Sequence, residues 1–427
     1  MKSILNLSVH SLHHQKKYAL FMLLGITLSM SMIVIISGFC NVLVELQKNI
    51  LLAEYSTSNL NANEIIEAVK KDDAYILMHS LALLFSAFAM VSGVSSITSI
   101  LSINMGEKTR TLAILSTIGA NNKHKIAFMV FEVLILSITS LPLGLLIGTL
   151  VLYPLTQYLN GIVSDFVELP ALSFFGDNPI LYCVLILLMG FVTVVLASMK
   201  PSINLLKKSP IEIARTYDAI NISFKESFFD RWLIKKFGTN AKLAVANYIN
   251  NKGKYRKLSL SVSACSMFFI LAALFQAYMM QLESNQSNES LLSAFSTVFV
   301  YFIVIIFAVS LFSASCLFYM NYKKRKPEFA VLKSIGIENK SLNRMIAIEA
   351  IYYGIYMLVF VMIGSIVGNA ALYAILSASN NRYVFIYPWK EVLISAFVIM
   401  VITFSLSQIM MNIVKRINIV SELKEMY

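Results

Sequence analysis

Charge is what this sequence has least of. Only 14% of its 427 residues are Asp, Glu, Lys or Arg, against about 25% in an ordinary soluble domain. So few charges cannot cover a water-facing surface. With 58% hydrophobic residues and a mean hydropathy of +0.72, lipid must be the solvent for much of the chain. Cysteine is scarce too: Cys40, Cys183, Cys265 and Cys316 all fall inside apolar runs. That placement excludes a disulfide framework, and the lack of close C-x-x-C spacing excludes a metal cluster. The five histidines (His10, His13, His14, His79 and His124) show no zinc-ligand spacing within a span. Neither G-x-x-x-x-G-K-[ST] nor H-E-x-x-H occurs, so no phosphate-cradling loop or metalloprotease helix is expected. Buried paired aspartates or a Ser/His pair for intramembrane proteolysis are missing as well. The expectation is a non-enzyme with no metal and no cofactor of its own.

What is present is a series of long apolar runs. A helix needs roughly 20 apolar residues to cross a bilayer, and eight stretches qualify: about 18–40, 75–104, 126–153, 180–199, 258–280, 294–320, 345–378 and 390–413. All must be helices, because lipid offers no partner to an unpaired backbone group. The fold class expected is therefore an all-α integral membrane protein with eight transmembrane helices. The first run, with His13, His14, Lys16 and Lys17 before it, is too long for the core of a signal peptide. No small-x-small cleavage site follows it, so it reads as a retained span.

With eight spans both termini share one side. That side carries every Lys and Arg except Lys48, Lys70, Lys71, Arg382 and Lys390, so the positive-inside rule makes it cytoplasmic. The net charge of +12 is thereby mostly topology, which argues against a nucleic-acid partner. The Lys/Asn/Ile-rich composition hints at an AT-rich bacterial genome, and the expected location is the bacterial plasma membrane.

The chain also repeats itself. Residues 106–119 read GEKTRTLAILSTIG, and residues 323–336 read KKRKPEFAVLKSIG. At one constant offset Ala113 meets Ala330, Leu115 meets Leu332, and Ile118-Gly119 meets Ile335-Gly336. Further on Asn122 meets Asn339, Lys123 meets Lys340, and Glu132 meets Glu349. Lys17-Tyr18 before the first span matches Lys254-Tyr255 before the fifth. The organisation expected is a first four-span repeat over 1–216, an amphipathic linker over 217–240 and a second repeat over 241–427. Halves with an even number of spans have the same orientation, related by an axis along the membrane normal.

Several residues stand out within this plan. Leu112, Leu115 and Ile118 recur at helical spacing with Lys108 and Arg110 opposite, which predicts a short amphipathic helix over 107–118. The glycine after it suits a left-handed cap. Glu132 and Glu349 lie about two turns inside spans 3 and 7. A carboxylate there needs a partner; Lys123, Lys125, Lys340 and Arg344 are the nearby cations. A salt bridge fixing the loop against the spans is favoured over a proton or ion relay. Gly144-x-x-x-Gly148 in span 3 and Gly364-x-x-x-Gly368 in span 7 read as close-packing sites. Beyond span 1, Val42, Leu43, Leu46, Ile50 and Leu51 continue an apolar stripe, and Asn63 is placed to cap a second helix from Glu64 to Asp73. In the linker, Phe228, Phe229, Trp232, Leu233 and Phe237 among Lys225, Arg231, Lys235 and Lys236 describe an interfacial helix in contact with membrane lipid.

The repeated A-x-L-x-x-I-G loop with its downstream glutamate resembles the FtsX/MacB-like permeases of ABC transporters (type VII architecture), over roughly residues 4–216 and 241–425. The tandem arrangement is similar to that of bacitracin- and lantibiotic-type peptide-resistance permeases. It departs from them in having eight spans rather than ten and no large outer domain, the longest outer segment being 41–74. The resemblance implies that the loops are coupling helices that dock on a separate ATPase, present as two subunits that bind the ATP and Mg. The docking residues would be Arg110, Leu112, Leu115, Ile118 and Gly119 in the first loop. In the second they would be Phe329, Leu332, Ile335 and Gly336. It further implies export or membrane extraction of an amphipathic peptide or lipid-like substrate. The alternatives are a mechanotransmitter acting on a cell-wall hydrolase or sensor kinase, and an ion-coupled secondary transporter, which the scarcity of midplane charge disfavours.

Overall fold

A computed structural model of the chain describes residues 2–14, 16–56, 62–117, 119–166, 173–175, 178–206, 228–283, 325–379 and 389–415. Scattered positions between 304 and 322, and residues 385 and 387, are described too. Among these residues every regular element is an α-helix. They are α1 (Lys2–His14), α2 (Lys16–Ser56), α3 (Ala62–Lys71), α4 (Asp73–Thr117), α5 (Asn122–Phe166), α6 (Pro179–Leu206), α7 (Phe228–Phe237), α8 (Thr239–Glu283), α9 (Lys326–Ser334), α10 (Asn339–Ser379) and α11 (Trp389–Lys415).

Six of them are long and apolar enough to cross a membrane, over Ala19–Leu52, Tyr75–Ser102, Asn122–Gly161, Pro179–Ile203, Asn339–Ser377 and Val392–Ile409. These correspond to six of the eight expected spans. The expected fifth falls within the continuous helix α8, and most of the expected sixth lies outside the described residues.

Several helices outrun the bilayer. At 1.5 Å per residue, the 41 residues of α2 reach about 60 Å, twice the hydrocarbon thickness. The far part of α2 carries the apolar stripe expected from the sequence, with Leu46 and Leu51 buried. It is joined there by α3, and the Tyr55 hydroxyl donates to Asp72 Oδ2 at 3.1 Å. Helix α3 begins at Ala62, so Asn63 lies inside it and does not cap it. Near the same end the Glu45 carboxylate accepts from the Ser173 amide at 3.1 Å, and Asn41 Nδ2 donates to the Phe174 carbonyl at 3.2 Å.

The bundle is built on extensive seams, first of α2 against both α5 and α4 and second of α8 against α10, and α4 also packs across against both α8 and α10. Phe85 of α4 meets Phe275 of α8 edge to face, 6.2 Å between centroids. Several polar residues in the spans are satisfied locally, as a lipid environment favours, although the buried Ser96, Ser102 and Ser140 hydroxyls find no partner among the described residues. Ser29, Ser37 and Thr193 each donate to a carbonyl one turn back, at 2.9, 2.7 and 2.6 Å. Across the second seam Tyr278 donates to Asn369 Oδ1 at 2.9 Å, with both residues buried.

Both glycine pairs expected to pack closely do so, but not in the same way. A Cβ on Gly144 would sit 2.5 Å from Met30 Cβ and 2.8 Å from the Thr27 carbonyl oxygen; one on Gly148 would sit 2.6 Å from Val34 Cβ. The obstacle in that seam is the backbone, or the atom next to it. At Gly364 the obstacle is the flexible end of Met267, and at Gly368 it is Leu271 Cδ2. Gly144→Ala should therefore cost about 1–3 kcal/mol, the usual cost of overpacking. Gly364→Ala should cost clearly less, since Met267 turns aside. Thermal unfolding of the two variants in detergent checks the order, and equal losses would refute it.

Candidate functional site

The features singled out by the repeat gather at the basic end of the bundle, in two turns: α4 into α5, and α9 into α10. Their backbones match residue for residue. Helix α4 ends at Thr117 and α9 at Ser334, while α5 begins at Asn122 and α10 at Asn339, the register of the sequence repeat. In the first turn the Ala120 amide donates to the Leu115 carbonyl at 2.9 Å and the Gly119 amide to Ser116 at 3.1 Å. In the second, Ile337 donates to Leu332 at 3.2 Å and Gly336 to Lys333 at 3.0 Å. That pair of bonds is a Schellman cap, which needs a left-handed residue at its pivot. Gly119 (φ 86°) and Gly336 (φ 95°) supply it.

The approaches to the turns differ. The first does not arrive as a separate amphipathic helix, because α4 runs unbroken from Asp73 to Thr117. Gly93 and Gly106, the two glycines on that stretch, cost only about 1 kcal/mol each. In the second turn a new helix, α9, starts beside Pro327, with Arg325 at its N-cap. Proline lacks the amide that a helix interior requires but is tolerated in the first turn.

Exposure separates the residues expected to dock. Leu112 and Phe329 are 3% and 0% exposed. They face inward, Leu112 onto Phe128 and Met129, and so are core residues of the turns and not docking residues. Leu115 and Leu332 are half-buried, Ile335 is 73% exposed, and Gly119 and Gly336 are exposed. Ile118 lies outside the described residues, and of Arg110 only its place in α4 is described. The corresponding pair Ile114 and Val331, not among the residues expected from the sequence, is exposed in both turns.

Glu349 of α10 is completely buried. Its partner is neither Lys340 nor Arg344, which are exposed. It is Arg325, folded back from the start of α9: Nη1 meets Glu349 Oε2 at 2.5 Å and Nη2 meets Oε1 at 3.0 Å. Asn247 Nδ2 of α8 donates to the same carboxylate at 2.7 Å, so one group ties three helices together. Arg325 also bonds Glu328 at 2.9 Å and lies 5.0 Å from the Phe329 ring centroid. Burial works against the guanidinium charge, but the Glu349 carboxylate outweighs it and holds Arg325 well above its usual pKa. Burial, and then the same carboxylate, push the Tyr255 and Tyr322 phenols up, so both stay protonated. The arrangement fixes a loop helix to the spans, the static role favoured from the position of Glu349.

Glu132, the counterpart of Glu349, is 4% exposed on α5. At the register position of Arg325 the first half has Lys108.

An apolar helical bundle with two alike turns at its basic end is the build of a membrane permease component. The FtsX-like permease C-terminal family model matches residues 83–210 and 298–419, more than half of the chain. The protein belongs to the FtsX-like permease family, and so to the membrane components of ABC transporters. Each matched stretch holds one turn and its glutamate. Searches of curated proteins and of solved structures found no match. Permeases of this family typically partner with an ATPase subunit.

Removing one member of a buried ion pair strands the other, at about 3–5 kcal/mol, whereas replacing both with apolar residues is often neutral. Arg325→Ala should therefore lower stability by that amount, and Arg325→Met with Glu349→Met should recover most of it. A double-mutant cycle read by thermal unfolding measures this; additive losses would mean the pair is not coupled.

Proposed function

We propose that this chain is a permease subunit of an ATP-driven transporter, with eight spans in two tandem repeats and both termini in the bacterial cytoplasm. In this reading residues 1–216 and 241–427 are the two repeats. The chain is not an enzyme: ATP and Mg are bound by a separate ATPase present as two subunits, and each docks on one basic-end turn. The observation that carries the reading is the matched pair of turns, with the same Schellman cap, the same helix end before it and helix start after it, and the same exposed aliphatic position at Ile114 and Val331. Two like docking points on one chain suit two like partners. The cargo proposed is an amphipathic peptide or lipid-like molecule, exported or lifted out of the membrane, consistent with a role in antimicrobial peptide resistance.

One observation favours the mechanotransmission alternative. Helix α2 is continuous from the basic end to the region it shares with α3, so movement at one end reaches the other without any substrate crossing. Flux of labelled peptide into inside-out vesicles separates the two readings. ATP-dependent accumulation supports transport, and hydrolysis without flux supports mechanotransmission.

The docking assignment is tested by coexpression with the partner ATPase. Ile114→Asp with Val331→Asp places charges on exposed positions and leaves the buried Leu112 and Phe329 untouched. The expected result is loss of co-purification and at least a ten-fold fall in ATP hydrolysis by the complex. Full association of the double variant would overturn the assignment of both turns.

A further inference from the structure

Helix α7 is charge-sorted in a way that the docking turns do not explain. It carries one acid and three cations in ten residues. The acid, Asp230, is buried and accepts a hydrogen bond from the Tyr352 hydroxyl of α10 at 2.5 Å. Leu233 is buried on the same helix. The cations Arg231, Lys235 and Lys236 are all exposed. Between them Trp232 and Phe237 are 49% and 38% exposed, and Lys236 Nζ lies 5.1 Å from the Trp232 ring centroid. A face meant for water would not present a tryptophan and a phenylalanine, and a face buried in a protein core would not present three cations.

The depth of the helix is fixed by its anchor. Tyr352 lies 13 residues past the first residue of α10, inside the apolar stretch Asn339–Ser377 and level with the buried Glu349. A helix pinned there sits at the boundary between the apolar spans and the basic loops. Aromatic rings with apolar bodies and polar edges belong at that level. Cations beside them meet lipid phosphates, with each Lys or Arg near an anionic surface adding about five-fold to affinity.

We infer that the outer face of α7, formed by Arg231, Trp232, Lys235 and Lys236, binds the headgroup of an anionic phospholipid of the leaflet on the basic side of the protein. The site deepens the interfacial reading of this helix and rests only on the chain being a membrane protein, not on the ATPase partner. The lipid is held on a helix keyed into the second half: Tyr352 stacks on Tyr248 at 4.0 Å, and the Tyr248 and Tyr356 hydroxyls are bonded at 2.7 Å. Occupancy therefore bears on the α8–α10 seam, and the anionic content of the membrane sets how firmly that seam is held.

The chain has only two tryptophans, Trp232 and Trp389, which allows a direct test. In the full-length protein with Trp389→Phe, fluorescence comes from Trp232 alone. The protein is reconstituted into bilayers of phosphatidylcholine containing a small fixed fraction of either brominated phosphatidylglycerol or brominated phosphatidylcholine. The expected result is several-fold stronger quenching by the brominated phosphatidylglycerol. Arg231→Gln with Lys235→Gln and Lys236→Gln, all at exposed positions, should abolish that preference while quenching by phosphatidylcholine persists. Equal quenching by the two lipids in the unaltered protein would overturn the anionic site. No quenching by either would mean that the face meets water or another protein.

Discussion

The basic end of the second half is organised by one buried charge. Once Glu349 is placed inside the bundle, the cost of a lone carboxylate in an apolar setting demands a cation with the right reach and a flat donor fork. Arg325 meets that demand only if the chain before α9 folds back onto α10. That return brings Phe329 inward beneath the guanidinium, and with Phe329 inside, Val331 and Ile335 are left on the surface. Asn247 adds α8 to the same carboxylate, so the position of the turn and the packing of the two long helices are parts of one arrangement.

The two halves share a backbone plan but not its surroundings. The caps at Gly119 and Gly336 are the same motif in the same register. Around Glu349, however, stand Tyr255, Tyr322 and Tyr353, with Asn321 donating to the Tyr353 hydroxyl at 2.8 Å. Tyr18 matches Tyr255, but Met105 and Leu136 stand where the second half has Tyr322 and Tyr353. Sequence repetition has kept what the turn needs, a glycine pivot and a buried acid, while the shell around that acid has changed.

Much of this was legible in the sequence, and the failures share a cause. Length and apolarity were enough to find the six helices that are long and apolar enough to cross a membrane, because a helix in lipid has no competing structure. The glycine pivots were legible because few residues accept a positive φ. Periodicity placed Leu112 and Leu115 on one face correctly but gave no information on which way that face turns. Leu112 and Phe329 went to the core, and Ile114 and Val331 to the surface. Spacing along one helix likewise favoured Lys340 and Arg344 for Glu349, since a return of the chain across space leaves no mark on local spacing. The break that permits this return, at Pro327, was in plain view. Its counterpart Arg110 lies within the unbroken helix α4, which is why one turn has a helix of its own and the other does not.

The two glycine seams have different mechanical characters. Where α5 meets α2, backbone lies against backbone, and any sliding must lift one helix over a carbonyl or a Cβ. Where α10 meets α8, a thioether and a leucine tip fill the gap instead. Such groups change rotamer on a far shorter timescale than helices move. The first seam behaves as a weld and the second as a greased bearing. Under shear, the second seam is the one whose contacts can repack.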